Sequence, residues 1–255
     1  MAIENNSAYI LTRMHSKLPI SHPDYTYPPA KNIYAAKNLE FEKTIYSDGQ
    51  TEKHKGLWRS LFLDAANEPA PSPARPLHVE IGCNGGHWIL EAASRNPDAA
   101  FIGVDWKFKQ IHRGAEKAEK RSIKNLIFFR SNSERLKYCF APEEIDFMYL
   151  FFPDPWAKKS QLKNRFFTES RLRELAPLVK KGGIFEIRTD HANYFEWMCE
   201  HAEKVKDIWQ MSEVTRDRYA DHPSPEKLDL GEVTLFEKLF IKDKIKIKRM
   251  VLIKL

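Results

Sequence analysis

Residues 77–86 read Leu-His-Val-Glu-Ile-Gly-Cys-Asn-Gly-Gly. Leu77 to Ile81 is a short apolar run that predicts a strand, and a glycine-rich turn follows it at once. A helix is expected from that turn to about Arg95, then a second strand over Ala100 to Val104 that ends in Asp105. Glycines at a strand-to-helix turn leave no Cβ between the backbone and a ligand. A carboxylate closing the next strand, about twenty residues on, can accept hydrogen bonds from both hydroxyls of a ribose. Asn84 stands where the second glycine of G-x-G-x-x-G belongs, and G-K-[ST] is missing, so neither the nicotinamide-dinucleotide fingerprint nor a P-loop is present.

Downstream the alternation continues. Lys107 to Arg121 reads as an amphipathic helix, Leu126 to Phe129 as a third strand and Ile145 to Phe152 as a fourth. Gln161 to Val179 is expected to be helical, ending at Gly182-Gly183; Ile184 to Arg188 is a fifth strand and Tyr194 to Val205 a further helix. Strands alternating with helices predict an α/β domain with a parallel sheet covered on both faces. Thr234 to Ile241 and Ile245 to Leu255 read as two β-rich runs joined by Lys242-Asp243-Lys244, with Ile245 and Ile247 alternating with lysines, so an antiparallel hairpin is expected at the end. Upstream, residues 1–55 are polar and turn-rich, Gly56 to Ala66 has helical spacing, and Asn67 to Pro76 is a proline-dense linker. The expected division is an extension with its linker over 1–76 and a folded domain over 77–255.

The fourth strand runs into Phe152-Pro153-Asp154-Pro155-Trp156, with Lys158 and Lys159 just after. Each proline fixes its own φ and pushes the preceding residue towards extended backbone. Asp154 therefore has little freedom to lose on binding. A rigid carboxylate between aromatic faces and beside cations suits a planar, hydrogen-bonding, anionic ligand such as a nucleotide base in nucleic acid; a stiff loop is the plainer alternative.

The net charge of +6 and pI near 9.0 favour acidic partners. Three widely spaced cysteines, Cys83, Cys139 and Cys199, form neither a CxxC pair nor a zinc-type cluster, which points to a reduced, cytoplasmic chain without a metal site. The first ten residues lack the pattern of a signal peptide, and no apolar stretch approaches the ~18 residues that span a bilayer, so no membrane partner is expected.

Taken together, residues from about Leu77 to Glu237 resemble the tRNA (guanine-N7-)-methyltransferase family. The E-I-G-x-G-x-G turn of that family is matched by Glu80, Ile81, Gly82 and Gly86, its acidic strand end by Asp105, and its N-A or D-A pair by Asn132-Ser133. Its F-P-D-P-W-P-K-K-R-H signature with a following K-R-R is matched by Phe152 to Trp156, Lys158, Lys159, Lys163 and Arg165. Thr189, Asp190 and Tyr194 match a T-D motif with a following Tyr, and Thr234, Phe236 and Glu237 a late T-x-F-E. Departures fall at Asn84, Ala157, Ser160, Gln161, Asn164 and Leu235.

The resemblance implies a Rossmann-like methyltransferase fold, with a mostly parallel seven-stranded sheet and a C-terminal antiparallel hairpin. It implies S-adenosylmethionine held by Glu80, Gly82, Gly86, Asp105, Asn132 and Ser133, and methyl transfer to N7 of a guanine in the variable loop of tRNA. Asp154 would be the catalytic carboxylate. Lys158, Lys159, Lys163 and Arg165 would meet phosphates, and Asp190, Thr234 and Glu237 would hold the substrate. A methyltransferase acting on another substrate, or an RNA-binding protein on a decayed enzyme fold, are the alternatives.

Overall fold

The computed structural model describes residues 18–62, 75–222, 224–228 and 233–255. The expected linker lies almost wholly outside these residues, as do the first ten residues and the end of the Gly56–Ala66 run. Among the described residues, eight strands form one sheet: β1 (Ile45–Ser47), β2 (Leu77–Ile81), β3 (Ala100–Asp105), β4 (Leu126–Arg130), β5 (Ile145–Phe151), β6 (Val179–Thr189), β7 (Trp209–Thr215) and β8 (Lys248–Lys254), in the order β1-β4-β3-β2-β5-β6-β8-β7. The helices are α1 (Ile33–Lys37), α2 (His87–Arg95), α3 (Phe108–Lys120), α4 (Leu136–Cys139), α5 (Glu169–Leu175), α6 (Ala192–Glu203) and α7 (Leu235–Lys242).

Strands β1 to β6 pair in parallel, and β8 runs antiparallel to both β6 and β7. The inner strands β3 and β4 are buried along almost their whole length, as strands covered on both faces must be. Along β4 the side chains alternate between two cores: Leu126 and Phe128 face α2 and α3, while Ile127 and Phe129 join the core built by α5, α6 and the N-terminal Trp58 and Phe62. Phe128 is the tightest fit. A Cβ on Gly86, Gly103 or Gly114 would come within 2.8–3.0 Å of its ring, so three glycines let α2, β3 and α3 close around one phenyl group.

Three expectations are corrected. The run Thr234 to Ile241 is not a strand. Thr234 Oγ1 accepts from the Glu237 N–H (3.0 Å), and the Glu237 carboxylate accepts from the Thr234 N–H (2.7 Å), a capping box that starts α7. The last strand instead lies antiparallel between β6 and β7, and residues 216–247 separate it from β7, so no tight turn joins them. Gln161 to Val179 is also not one helix. A 3-10 turn over Lys159–Asn164 breaks off, Thr168 caps the short α5, and Val179 already belongs to β6. The sheet has eight strands against the implied seven because residues 45–47 add β1 to its edge.

Residues 18–62 lie against the domain. The Trp58 and Phe62 side chains are fully buried. The Glu144 carboxylate accepts from the backbone N–H groups of Gly56 (2.9 Å) and Trp58 (3.2 Å), and the Trp58 indole donates to the Cys139 carbonyl (2.7 Å). Buried Arg135 grips Glu52 through two hydrogen bonds and the Ile20 carbonyl through a third. Among the described residues no helix is long and apolar enough to cross a membrane, and no cluster of His, Cys, Asp and Glu could hold a metal ion.

Candidate functional site

The strand order reverses direction at β2, whose neighbours are β3 and β5. In an open parallel sheet the crevice outside the carboxyl ends at that point receives ligands. Here it is a cleft of about 450 Å³. Its wall follows the strand ends in order: Gly82 and Asn84 after β2, Asp105 and Trp106 at β3, Ser131 to Ser133 after β4, and Phe152, Asp154 and Trp156 after β5.

The turn after β2 is held by two hydrogen bonds to one carbonyl, from the N–H groups of Gly82 (2.8 Å) and Cys83 (3.0 Å) to Val104 O. Gly82 has φ +79° and nothing within 4 Å of where a Cβ would sit, so the backbone is open to a ligand. Asn84 takes φ +52°, a left-handed conformation that asparagine tolerates. Its N–H donates to Asp105 Oδ2 (3.0 Å), and the Lys107 N–H donates to Oδ1 (2.8 Å). Asp105 is thus fixed from both sides while each oxygen keeps a lone pair for a hydroxyl. Asn132 Oδ1 accepts from the Glu134 N–H (2.9 Å), which fixes the β4 end of the wall. These residues fit the adenosine part of S-adenosylmethionine.

Glu80 and Gly86 do not line the cleft. Gly86 caps α2 against Phe128. Glu80 is buried beneath the turn with Oε2 lacking a hydrogen-bond partner, and burial pushes its carboxyl up to about 8, against the pull of Arg188.

The second half of the wall is strained. Phe152 (φ +52°) and Trp156 (φ +41°) both occupy the left-handed region, where bulky side chains are rare. Such strain persists only where surrounding contacts enforce it. The Phe152 N–H donates to Arg188 O (2.8 Å), and its ring packs against Phe236 and Phe240 of α7. Arg165 Nε donates to Pro155 O (2.9 Å), and its guanidinium lies 4.8 Å from the rings of both Tyr194 and Trp197. Asp154 is left exposed at the apex.

Arg165, expected on the RNA-facing surface, is therefore 8% exposed and turned inward as a brace of the Asp154 loop. Lys158, Lys159 and Lys163 remain exposed on the rim. Thr234 and Glu237 stand at the start of α7. Glu237 is fully buried, its oxygens taken by Thr234, Arg188 (3.0 Å) and the Tyr219 hydroxyl (2.8 Å), so it holds α7 in place. Asp190 does not line the cleft, and its carbonyl accepts from Lys248 Nζ (2.8 Å). Sequence reasoning missed Trp106, Phe166 and the wall role of Phe236. Trp106 carried a signal, since it directly follows Asp105; Phe166 and Phe236 reach the cleft only through tertiary packing.

Comparison with known proteins agrees with this geometry. A family model described as "putative methyltransferase" matches residues 74–250. A tRNA (guanine-N(7)-)-methyltransferase of Lachnoclostridium phytofermentans is 30% identical over 189 residues, covering 74% of this chain and 80% of that one. A bifunctional glycosyltransferase/methyltransferase of Fusobacterium nucleatum subsp. nucleatum is 33% identical over 82% of this chain, which spans 30% of that longer protein. Among solved structures, the 16S rRNA methyltransferase KamB superposes with a TM-score of 0.53 at 15% identity, covering 70% of this chain and 87% of that one, a likeness of fold.

Proposed function

The chain belongs to the tRNA (guanine-N7-)-methyltransferase family, and on that premise we propose that its cleft transfers a methyl group from S-adenosylmethionine to N7 of a guanine in tRNA, in the variable loop. S-adenosylmethionine supplies an electrophilic methyl group on a sulfonium sulfur. Guanine N7 carries an in-plane lone pair and no proton, so the protein needs no general base to make the nucleophile. Its task is to hold N7 in line with the methyl group, and positioning of that kind lowers a barrier by several kcal/mol.

Asp105 and the open turn at Gly82 orient the adenosine end. The rigid loop from Phe152 to Trp156 orients the base. As the N7–methyl bond forms and the sulfur–methyl bond breaks, the electron pair returns to sulfur in S-adenosylhomocysteine and positive charge develops on the guanine, which the Asp154 carboxylate would stabilise more in the transition state than in the ground state. The same carboxylate can accept from the N1–H and N2–H edge of the base. The exposed Lys158, Lys159 and Lys163 neutralise phosphates and set the register of the RNA without reading sequence.

The observation that carries this reading is the pair of fixed carboxylates on one cleft: Asp105 at the end of β3 and Asp154 between its prolines after β5. The test is methylation of bulk tRNA with S-adenosylmethionine, followed by position-resolved mapping of N7-methylguanine. Modification at a single variable-loop guanine is expected. Cofactor binding without methyl transfer to any tRNA would remove the substrate reading and leave a methyltransferase for another acceptor.

A further inference from the structure

Arg130 ends β4, and in the sheet register it sits between Asp105 of β3 on one side and Ser47 of β1 on the other. Its guanidinium lies 3.8 Å from the ring centroids of both Trp106 and Phe108, and its Nε donates to the Trp106 carbonyl (3.1 Å). The side chain is almost wholly buried. Its charge is met by Asp48, the residue after β1, through an ion pair at Nη1. Asp48 takes φ +53°, and a reciprocal cap between Ser47 and Gln50 fixes the turn that carries it. Trp106 at the other end is 43% exposed and lines the cleft beside Asp105.

We propose that the N-terminal segment is a working part of the cofactor site: Asp48 fixes Arg130, Arg130 fixes Trp106, and Trp106 sets the cleft wall beside Asp105. The inference rests on the reading of this cleft as the S-adenosylmethionine site. The half-exposed indole carries the Arg130 guanidinium on its face. Arginine serves because a flat cation can stack between two rings while its edge donates hydrogen bonds. A buried guanidinium without its carboxylate would turn towards water. That movement would take it off Trp106. Asp48 and Arg130 are positioning residues, since neither lines the cleft.

The experiment is calorimetric titration of S-adenosylmethionine and its demethylated product into the full-length parent, Asp48→Asn, Trp106→Leu and the double variant, with melting temperatures on the same samples. Asp48→Asn changes charge at a partly exposed, nearly isosteric position, so it is expected to fold. It should weaken cofactor binding about tenfold, the scale of one lost charge-assisted contact. In the Trp106→Leu background the same change should weaken binding by less than about twofold, because the relay is already cut. Asp48→Glu, which keeps the carboxylate, should recover affinity. Parental affinity in Asp48→Asn, or an equal loss in both backgrounds, would overturn the inference. Absence of binding to the parent itself would overturn the cofactor reading instead.

Discussion

At the scale of single residues, the weight falls on Asp154. Its neighbours hold the backbone: two prolines in sequence, left-handed Phe152 and Trp156 in conformation, Arg165 on the Pro155 carbonyl in space. Asp154→Asn should therefore keep the loop and lose the charge alone. Single-turnover methylation should fall by about 10²-fold or more, the loss typical of removing one preorganised group. Melting temperature and cofactor affinity should stay parental, and near-parental turnover would reduce Asp154 to a turn residue. The local part of this site was legible in the sequence, because Gly82, Asn84, Asp105 and the prolines act through their own backbone or the next strand end. Arg165 was not. Its place is decided by Tyr194 and Trp197, which come from a helix whose docking no local pattern announces.

At the scale of elements, the antiparallel edge and α7 are joined by buried charges. Glu186 on β6 accepts from Arg188 (2.7 Å), from Arg249 of β8 (2.7 Å) and from Arg218 (3.2 Å), while Arg188 reaches on to Glu237 of α7. This network holds Phe236 over the cleft. It also turns the chain end from its expected strand into a helix: Thr234 to Ile241 has strand-like composition, but the Thr234–Glu237 capping box and the pull of Arg188 on Glu237 favour α7. Strand β7 went unseen because its middle faces solvent and only Trp209 is buried. Burial alone would push the Glu186 carboxyl up, yet Arg188 and Arg249 hold it down to about 2, below its ordinary 4.5. A depressed carboxyl favours the fold when ionised, so its contribution is complete above pH 4.5 and is lost as pH falls towards 2. Urea denaturation of the parent and Glu186→Gln across pH 2–7 should show two curves far apart near neutrality that converge on the acid side. Parallel curves would mean that the arginines do not depend on this carboxylate.

At the scale of the whole molecule, the parallel α/β core and its ligand edge were readable because near-continuous apolar strands and amphipathic helices repeat over most of the chain. The docking of residues 18–62 was not, since Trp58, Arg135 and Glu144 pair partners far apart in sequence and a polar, turn-rich stretch gives no periodic sign of it. The same distinction divides the cations. A net charge of +6 describes the chain as a whole, but only charges that reach solvent can displace counterions from RNA. Lys159 is exposed at the rim, whereas Arg165, in the same basic stretch, is a buried brace. Titrating tRNA at several salt concentrations separates the two. Lys159→Ala should reduce the log–log salt slope by about 0.7 to 0.9, one phosphate contact, while Asp154-dependent turnover at saturating RNA stays near parental. Arg165→Ala should leave the slope unchanged and lower turnover, because the loop that carries Asp154 loses its hold on Pro155. A parental slope in Lys159→Ala would remove that lysine from the interface, and a reduced slope in Arg165→Ala would mean that the arginine leaves its two rings to meet the RNA.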